Sequence, residues 1–122
     1  MIQGRVNDCR EAEVRLRVRA GDGVDWEVLA VIDTGFSGYL TLPPELVTEL
    51  DLPFVNRRLF ALADDQTHEF DAFGTIVLWD GQERSIISLS SRGPATIGMA
   101  LLYGCRVQLD LTSGGAVTIE TR

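Results

Sequence analysis

Apolar and polar residues alternate with period two over much of the chain, and turn residues recur roughly every 8–12 positions, which is the pattern of an all-β protein. Val14, Leu16 and Val18 alternate with Arg15, Arg17 and Arg19, so one face of that strand is expected in a core and the other in water. Ala20-Gly21-Asp22-Gly23 reads as a hairpin turn, and Val24 to Ile32 as the returning strand. Its last residues, Leu29-Ala30-Val31-Ile32, are apolar without interruption, which predicts burial on both faces.

A short strand is expected over Tyr39 to Leu42. Pro43-Pro44 then opens a short helix from Glu45 to Leu50, and Pro53 prevents its continuation. Leu59 to Ala63 and Phe70 to Leu78 read as strands around a polar tip, Asp64-Asp65-Gln66-Thr67. Asp80-Gly81 is a hairpin signal leading to a strand over Ser85 to Leu89. After the loop Ser90 to Pro94 come a short strand, Ala95-Thr96-Ile97, and a helix over Met99 to Tyr103 that Gly104 ends. Val107 to Leu111 and Ala116 to Thr121 flank a Ser113-Gly114-Gly115 turn as a closing hairpin. No long repeat, low-complexity segment or linker divides the chain. The pattern predicts one domain over 1–122, a small and mostly antiparallel β barrel with two short helices.

Composition narrows the function. The 122 residues are 45% hydrophobic, enough for a core without metal or disulfide staples. Acidic residues outnumber basic ones, 18 to 11, for a net charge of −7. That balance argues against nucleic acid or an anionic membrane as partner. Cys9 and Cys105 lack metal-ligand spacing; a disulfide between them is possible, and two free thiols in a reducing cytosol is the preferred reading. Arg5, Asp8, Arg10, Glu11 and Glu13 interrupt any signal-peptide-like stretch, and no apolar run approaches the roughly 20 residues that span a bilayer. A cytoplasmic location is expected.

Candidate chemistry concentrates at Asp33, delivered by an apolar strand into the turn Thr34-Gly35. Glycine at 35 gives backbone amides room to approach the carboxylate, and a buried Thr34 hydroxyl would need a partner. On turn chemistry alone, the favoured reading of Asp33 is an aspartate bonding its own backbone before a glycine. His68 is the only histidine, and no Ser-His-Asp or Cys-His arrangement surrounds it. Asp64 and Asp65 read most simply as a solvated turn, with a substrate-facing role as the alternative.

A second element, Thr96-Ile97-Gly98-Met99-Ala100-Leu101-Leu102, sharpens the reading. Val31-Ile32-Asp33-Thr34-Gly35, then a hairpin near 64–67, then Ile97-Gly98-Met99-Ala100-Leu101-Leu102, resembles the retropepsin-like (retroviral-type) aspartic proteases in their bacterial and archaeal single-domain form. The resemblance covers about residues 10–120 and implies a closed antiparallel barrel of the acid-protease type. It implies Asp33 as the catalytic carboxylate of an aspartic endopeptidase, matched by Asp33 of a second chain in a homodimer. Thr34 would bond across the dimer axis, and Gly35 would let substrate backbone pack close. Ile97 and Gly98 would pack behind the catalytic loop. Asp64, Asp65, Gln66 and Thr67 would fold as a flap over a peptide or protein substrate. No metal or cofactor is called for.

Three features depart from the viral pattern. The flap tip has no glycine. Ser37 and Met99 stand where viral members often carry an Asp–Arg ion pair that steadies the dimer. Phe36 replaces a smaller alanine and narrows the adjacent pocket. The reading from a different class is a non-catalytic peptide-binding or dimerisation module on the same fold. A toxin–antitoxin or regulatory partner protein is a third and weaker one.

Overall fold

The computed structural model describes residues 1–61 and 64–122. In chain order the strands and helices are β1 (Ile2–Val6), β2 (Ala12–Arg19), β3 (Asp25–Ile32), β4 (Leu40–Leu42), α1 (Pro44–Leu50), β5 (Phe54–Ala61), β6 (Thr67–Trp79), β7 (Gln82–Ser90), β8 (Ala95–Ile97), α2 (Met99–Leu102), β9 (Cys105–Leu109) and β10 (Ala116–Thr121). The strands form one sheet in the order β5-β6-β7-β4-β8-β3-β2-β1-β10-β9. A further pairing of β6 with β2, through Arg17–Leu78 and Val18–Val77, closes β2, β3, β8, β4, β7 and β6 into a barrel. The expected closed all-β barrel with two short helices is what the chain forms, with one refinement. Two neighbouring pairs in the ring, β3–β8 and β4–β7, run parallel. Both involve three-residue strands paired with strands distant in sequence, so period two could not reveal their direction.

Local chemistry accounts for the elements. In β2, Val14, Leu16 and Val18 are buried while Arg15 and Arg17 are exposed. The outer face is laced to its neighbours rather than basic in net effect. Arg15 pairs with Glu27 at 3.0 Å, and Arg19 bridges Asp25 at 2.9 Å and Glu83 at 2.6 Å. Those two partners hold the Arg19 pKa above its ordinary value. Asp80-Gly81 forms the tight turn between β6 and β7, with φ of 53° and 80°, the left-handed pair that a two-residue hairpin requires. Pro43 accepts the first turn of α1 through its carbonyl, from the Leu46 and Val47 amides, and left-handed Asp51 ends the helix. Among the described residues, no helix is long and apolar enough to cross a membrane.

The structure corrects three details. β3 is not buried on both faces: Val28 and Ala30 point to the core, while Leu29 is 47% exposed. The strand covers the barrel with one face only, so alternation persists beneath an apolar sequence. β1 is an added strand between β2 and β10 that the reading left unassigned. β5 begins at Phe54, ahead of the expected Leu59, and is exposed along nearly its whole length, so no buried face marks it in the sequence. Leu62 and Ala63, the expected end of that strand, lie outside the described residues.

The core runs through the barrel, with Leu40, Leu42, Ile97 and Leu101 fully buried. Leu40 sits on β4 opposite Ile97 of β8 and Ser88 of β7, where it ties both parallel pairings together. Leu40→Ala should lower the free energy of unfolding by about 2–5 kcal/mol, the usual cost of an unfilled core cavity. A urea titration checks this, and an unchanged midpoint would contradict the assigned packing.

Candidate active site

Asp33 follows the last residue of β3. Its amide donates to the Ile97 carbonyl of β8 at 2.9 Å, which continues the parallel pairing one step past the strands. The chain then turns, with the Phe36 amide donating to the Asp33 carbonyl at 3.2 Å. The Gly35 amide donates to Asp33 Oδ1 at 3.0 Å. A Cβ at Gly35 would lie 3.3 Å from that same oxygen, so the glycine provides room beside the carboxylate. An aspartate in an ordinary turn bonds its backbone in the same way. What sets this one apart is the second loop packed against it.

That second loop runs from Ile97 into α2. The Gly98 amide donates to the Tyr39 carbonyl at 3.0 Å, Met99 to Phe36 at 2.8 Å, and Ala100 to Gly38 at 3.0 Å. The contact is close enough that a Cβ on Gly98 would collide with the Gly38 carbonyl oxygen and the Phe36 ring. Gly98 has φ of −96°, so glycine is required here for close approach and not for an unusual backbone angle. Gly38 is constrained likewise, since a Cβ there would overlap the Phe36 ring. Beside this junction the Thr41 and Thr96 hydroxyls lie 2.6 Å apart, and the Thr96 amide donates to Thr41 Oγ1 at 3.1 Å.

Asp33 opens into a cleft of about 340 Å³. Phe36, Thr41 and Thr96 form its floor with Asp33, Leu89 and Arg92 one wall, and Phe60, His68 and Phe70 of the β5–β6 hairpin the other. The Phe36 and Phe60 rings meet at 5.7 Å with an interplanar angle of 56°, so the hairpin rests on the Asp33 loop. A larger hollow of about 760 Å³ lies elsewhere, against Pro53, Gly74 and Ile86, and among the described residues no carboxylate or imidazole lines it. Asp33 and His68 both line the smaller cleft.

The sequence-derived residues divide into two groups. Asp33, Gly35, Ile97 and Gly98 come together as one unit: Ile97 is fully buried and Gly98 is wedged between the loops. Thr34 was expected to be buried, and in the single chain it is exposed, because the turn points it away from the barrel. Asp64, Asp65, Gln66 and Thr67 form an exposed tip and do not line the cleft. The hairpin's contribution comes from its shoulders, at Phe60, His68 and Phe70. Sequence reasoning passed over these, because Phe60 and Phe70 stand among other apolar residues of the same two strands and nothing local singles them out. The tip is internally tied instead. Asp64 accepts from the Gln66 amide at 2.9 Å and lies 3.1 Å from His68 Nε2.

Two tests follow from this geometry. Gly98→Ala should lower the unfolding free energy by about 1–3 kcal/mol, since the methyl overpacks a closed junction. It should also displace the Gly35 and Phe36 amide resonances. A variant with the parent's stability and spectrum would contradict the contact. At the tip, the Gln66 amide and then His68 hold the Asp64 carboxyl below the usual carboxylate range. The stabilisation this brings is present above the unfolded carboxyl's titration and is lost as pH falls through the folded one. Carbon NMR should find the Asp64 midpoint below that of a free aspartate, and His68→Ala should raise it only part of the way. A midpoint in the variant that does not rise would exclude the imidazole contact.

No protein-family model matches the chain, and no curated protein matches it in sequence. Among solved structures it is similar to a retropepsin-like aspartic protease from Rickettsia conorii, at 16% identity and a TM-score of 0.63 over 98% of this chain and 89% of that one. Identity that low speaks to the fold alone. The chain has the retropepsin-like aspartic protease fold.

Proposed function

We propose that the chain is an aspartic endopeptidase that works as a homodimer, with Asp33 of each subunit forming the catalytic pair. The observation that carries this reading is the exposed Asp33 carboxylate, held by the Gly35 amide on the floor of a cleft in a retropepsin-like barrel. The sequence contains one Asp-Thr-Gly and no Asp-Ser-Gly, so a second carboxylate of the same kind comes only from a second chain. A two-fold axis beside the Asp33 loops is the simplest way to bring it there. Exposed Thr34, next to Asp33, is then available to bond across that axis.

The chemistry follows from the pairing. Two carboxylates about 3 Å apart cannot both ionise, so they share one proton. The ionised member takes a proton from water as the water attacks the scissile carbonyl carbon. The protonated member donates to the carbonyl oxygen as the tetrahedral intermediate forms. The intermediate collapses with cleavage of the C–N bond, and the amine leaves with a proton from the pair. An extended peptide suits the site because its backbone can pair with strand edges above the cleft. Met99 is 47% exposed and Ser37 is exposed, so no Asp–Arg pair clasps these loops and the dimer is expected to be weak.

Asp33→Asn should lower peptide cleavage by on the order of 10³-fold or more while leaving the fold intact. The wild-type rate should follow a bell in pH, falling at the acid side as the pair gains its second proton and at the alkaline side as it loses the shared one. Unchanged cleavage in the variant would overturn this reading and leave the fold as a binding module.

A further inference from the structure

The walls of the Asp33 cleft differ in chemistry from the rest of the molecule. The protein carries a net charge of −7, yet Asp33 is the only carboxylate that lines the cleft among the described residues. Arg92 and His68 line it as well. His68 is engaged by Asp64 at 3.1 Å. Arg92 is exposed and, like most of the chain's arginines, makes no ion pair among the described residues; what distinguishes it is its place in the cleft. The cleft thus holds a guanidinium with its hydrogen-bonding capacity unspent by any carboxylate of the chain.

The hairpin over the cleft is sorted in the same sense. β5 and β6 pair Arg58 with Phe70 and Phe60 with His68, which places these four side chains on one face. That is the face from which Phe60, His68 and Phe70 reach the cleft. The intervening pairs, Arg57 with Asp71 and Leu59 with Glu69, occupy the other face, and Arg57 bonds Asp71 at 3.2 Å. The two acids of β6, Glu69 and Asp71, therefore lie on the outer face, and the inner face is aromatic and basic. Between Phe36, Phe60, Phe70 and Leu89 the cleft presents an apolar slot suited to a large flat side chain.

We propose that the Asp33 cleft selects peptides in which an aromatic or large aliphatic residue lies within two positions of a glutamate or aspartate: the slot takes the apolar side chain and Arg92 pairs with the carboxylate. The assignment rests on the peptidase reading for its setting, but it concerns recognition and is measurable without turnover. The overall negative charge does not oppose it. At physiological salt, fields decay over about 8 Å, so an exposed acid on the peptide responds to the guanidinium it touches rather than to distant surface carboxylates. A guanidinium also engages a carboxylate through two parallel bonds, which fixes its place along an extended backbone.

The test is binding of fluorescein-labelled peptides to the full-length Asp33→Asn protein, read by anisotropy. Three peptides share one sequence: one with Phe and Glu, one with Phe and Gln, and one with Ala and Glu. The Phe–Glu peptide should bind about fivefold more tightly than the Phe–Gln peptide, the scale of one exposed ion pair, and about tenfold more tightly than the Ala–Glu peptide. Adding Arg92→Gln should erase the Glu-over-Gln ratio. Arg92→Glu should reverse it in favour of a Phe–Lys peptide. Arg106→Gln, an equal charge change on exposed β9, should leave the ratio as it was. Equal binding of the Glu and Gln peptides, a ratio that survives Arg92→Gln, or no binding to any of the three overturns the proposal. Incubating the wild-type protein with the same peptides separates the two readings. Preferred binding without cleavage removes the peptidase reading alone, and cleavage of all three at equal rates removes the recognition proposal alone.

Discussion

The architecture depends on a close crossing of two backbones, the loop after β3 and the loop that opens α2. Hydrogen bonds from Asp33, Gly98, Met99 and Ala100 stitch them together, and a single methyl at Gly98 would not fit between them. The crossing does what a side-chain lock would do less well. Backbone bonds are short and tolerate little slack, so the Asp33 carboxylate inherits the rigidity of the barrel. The parallel β3–β8 pairing leads directly into the crossing, and Leu40 and Ile97 fill the space beneath it. The fold therefore presents a mobile-looking turn on an immobile base.

Against that base stands the β5–β6 hairpin, which is built differently. Most of β5 is exposed, and its tie to the Asp33 loop is the tilted contact of Phe60 with Phe36. Little apolar area is buried there, so lifting the hairpin costs far less than disturbing the crossing. The tip is held together by the Gln66 amide and His68 against Asp64, and residues 64–67 include no glycine.

Much of this was legible in the residues, for identifiable reasons. Alternation located β2, the Asp-Gly pair located the β6–β7 turn, and the prolines bounded α1, because each is a local preference that the barrel leaves in force. The crossing of the Asp33-Thr34-Gly35 and Ile97-Gly98 loops was expected from the family resemblance, and the close approach at Gly98 is its physical ground. The illegible parts are those set by long-range context. Leu29 looks like core and faces out, because only the sheet decides which side of β3 meets the interior. β5 has no buried face to give it a period. The cleft walls at Phe60, Phe70 and Arg92 come from segments far apart in sequence, so no local motif gathers them. Thr34 is exposed in the single chain although an apolar strand leads into it, because the turn and not the strand sets its direction.

The central claim is that two copies of this chain bring their Asp33 carboxylates together. A crystal structure of the wild-type protein, inspected at that residue, tests it most directly. The account predicts two Asp33 side chains facing each other across a two-fold axis, about 3 Å apart, with the Thr34 side chains bonded nearby. Asp33 carboxylates that face solvent, with no symmetry-related copy within reach, would contradict it.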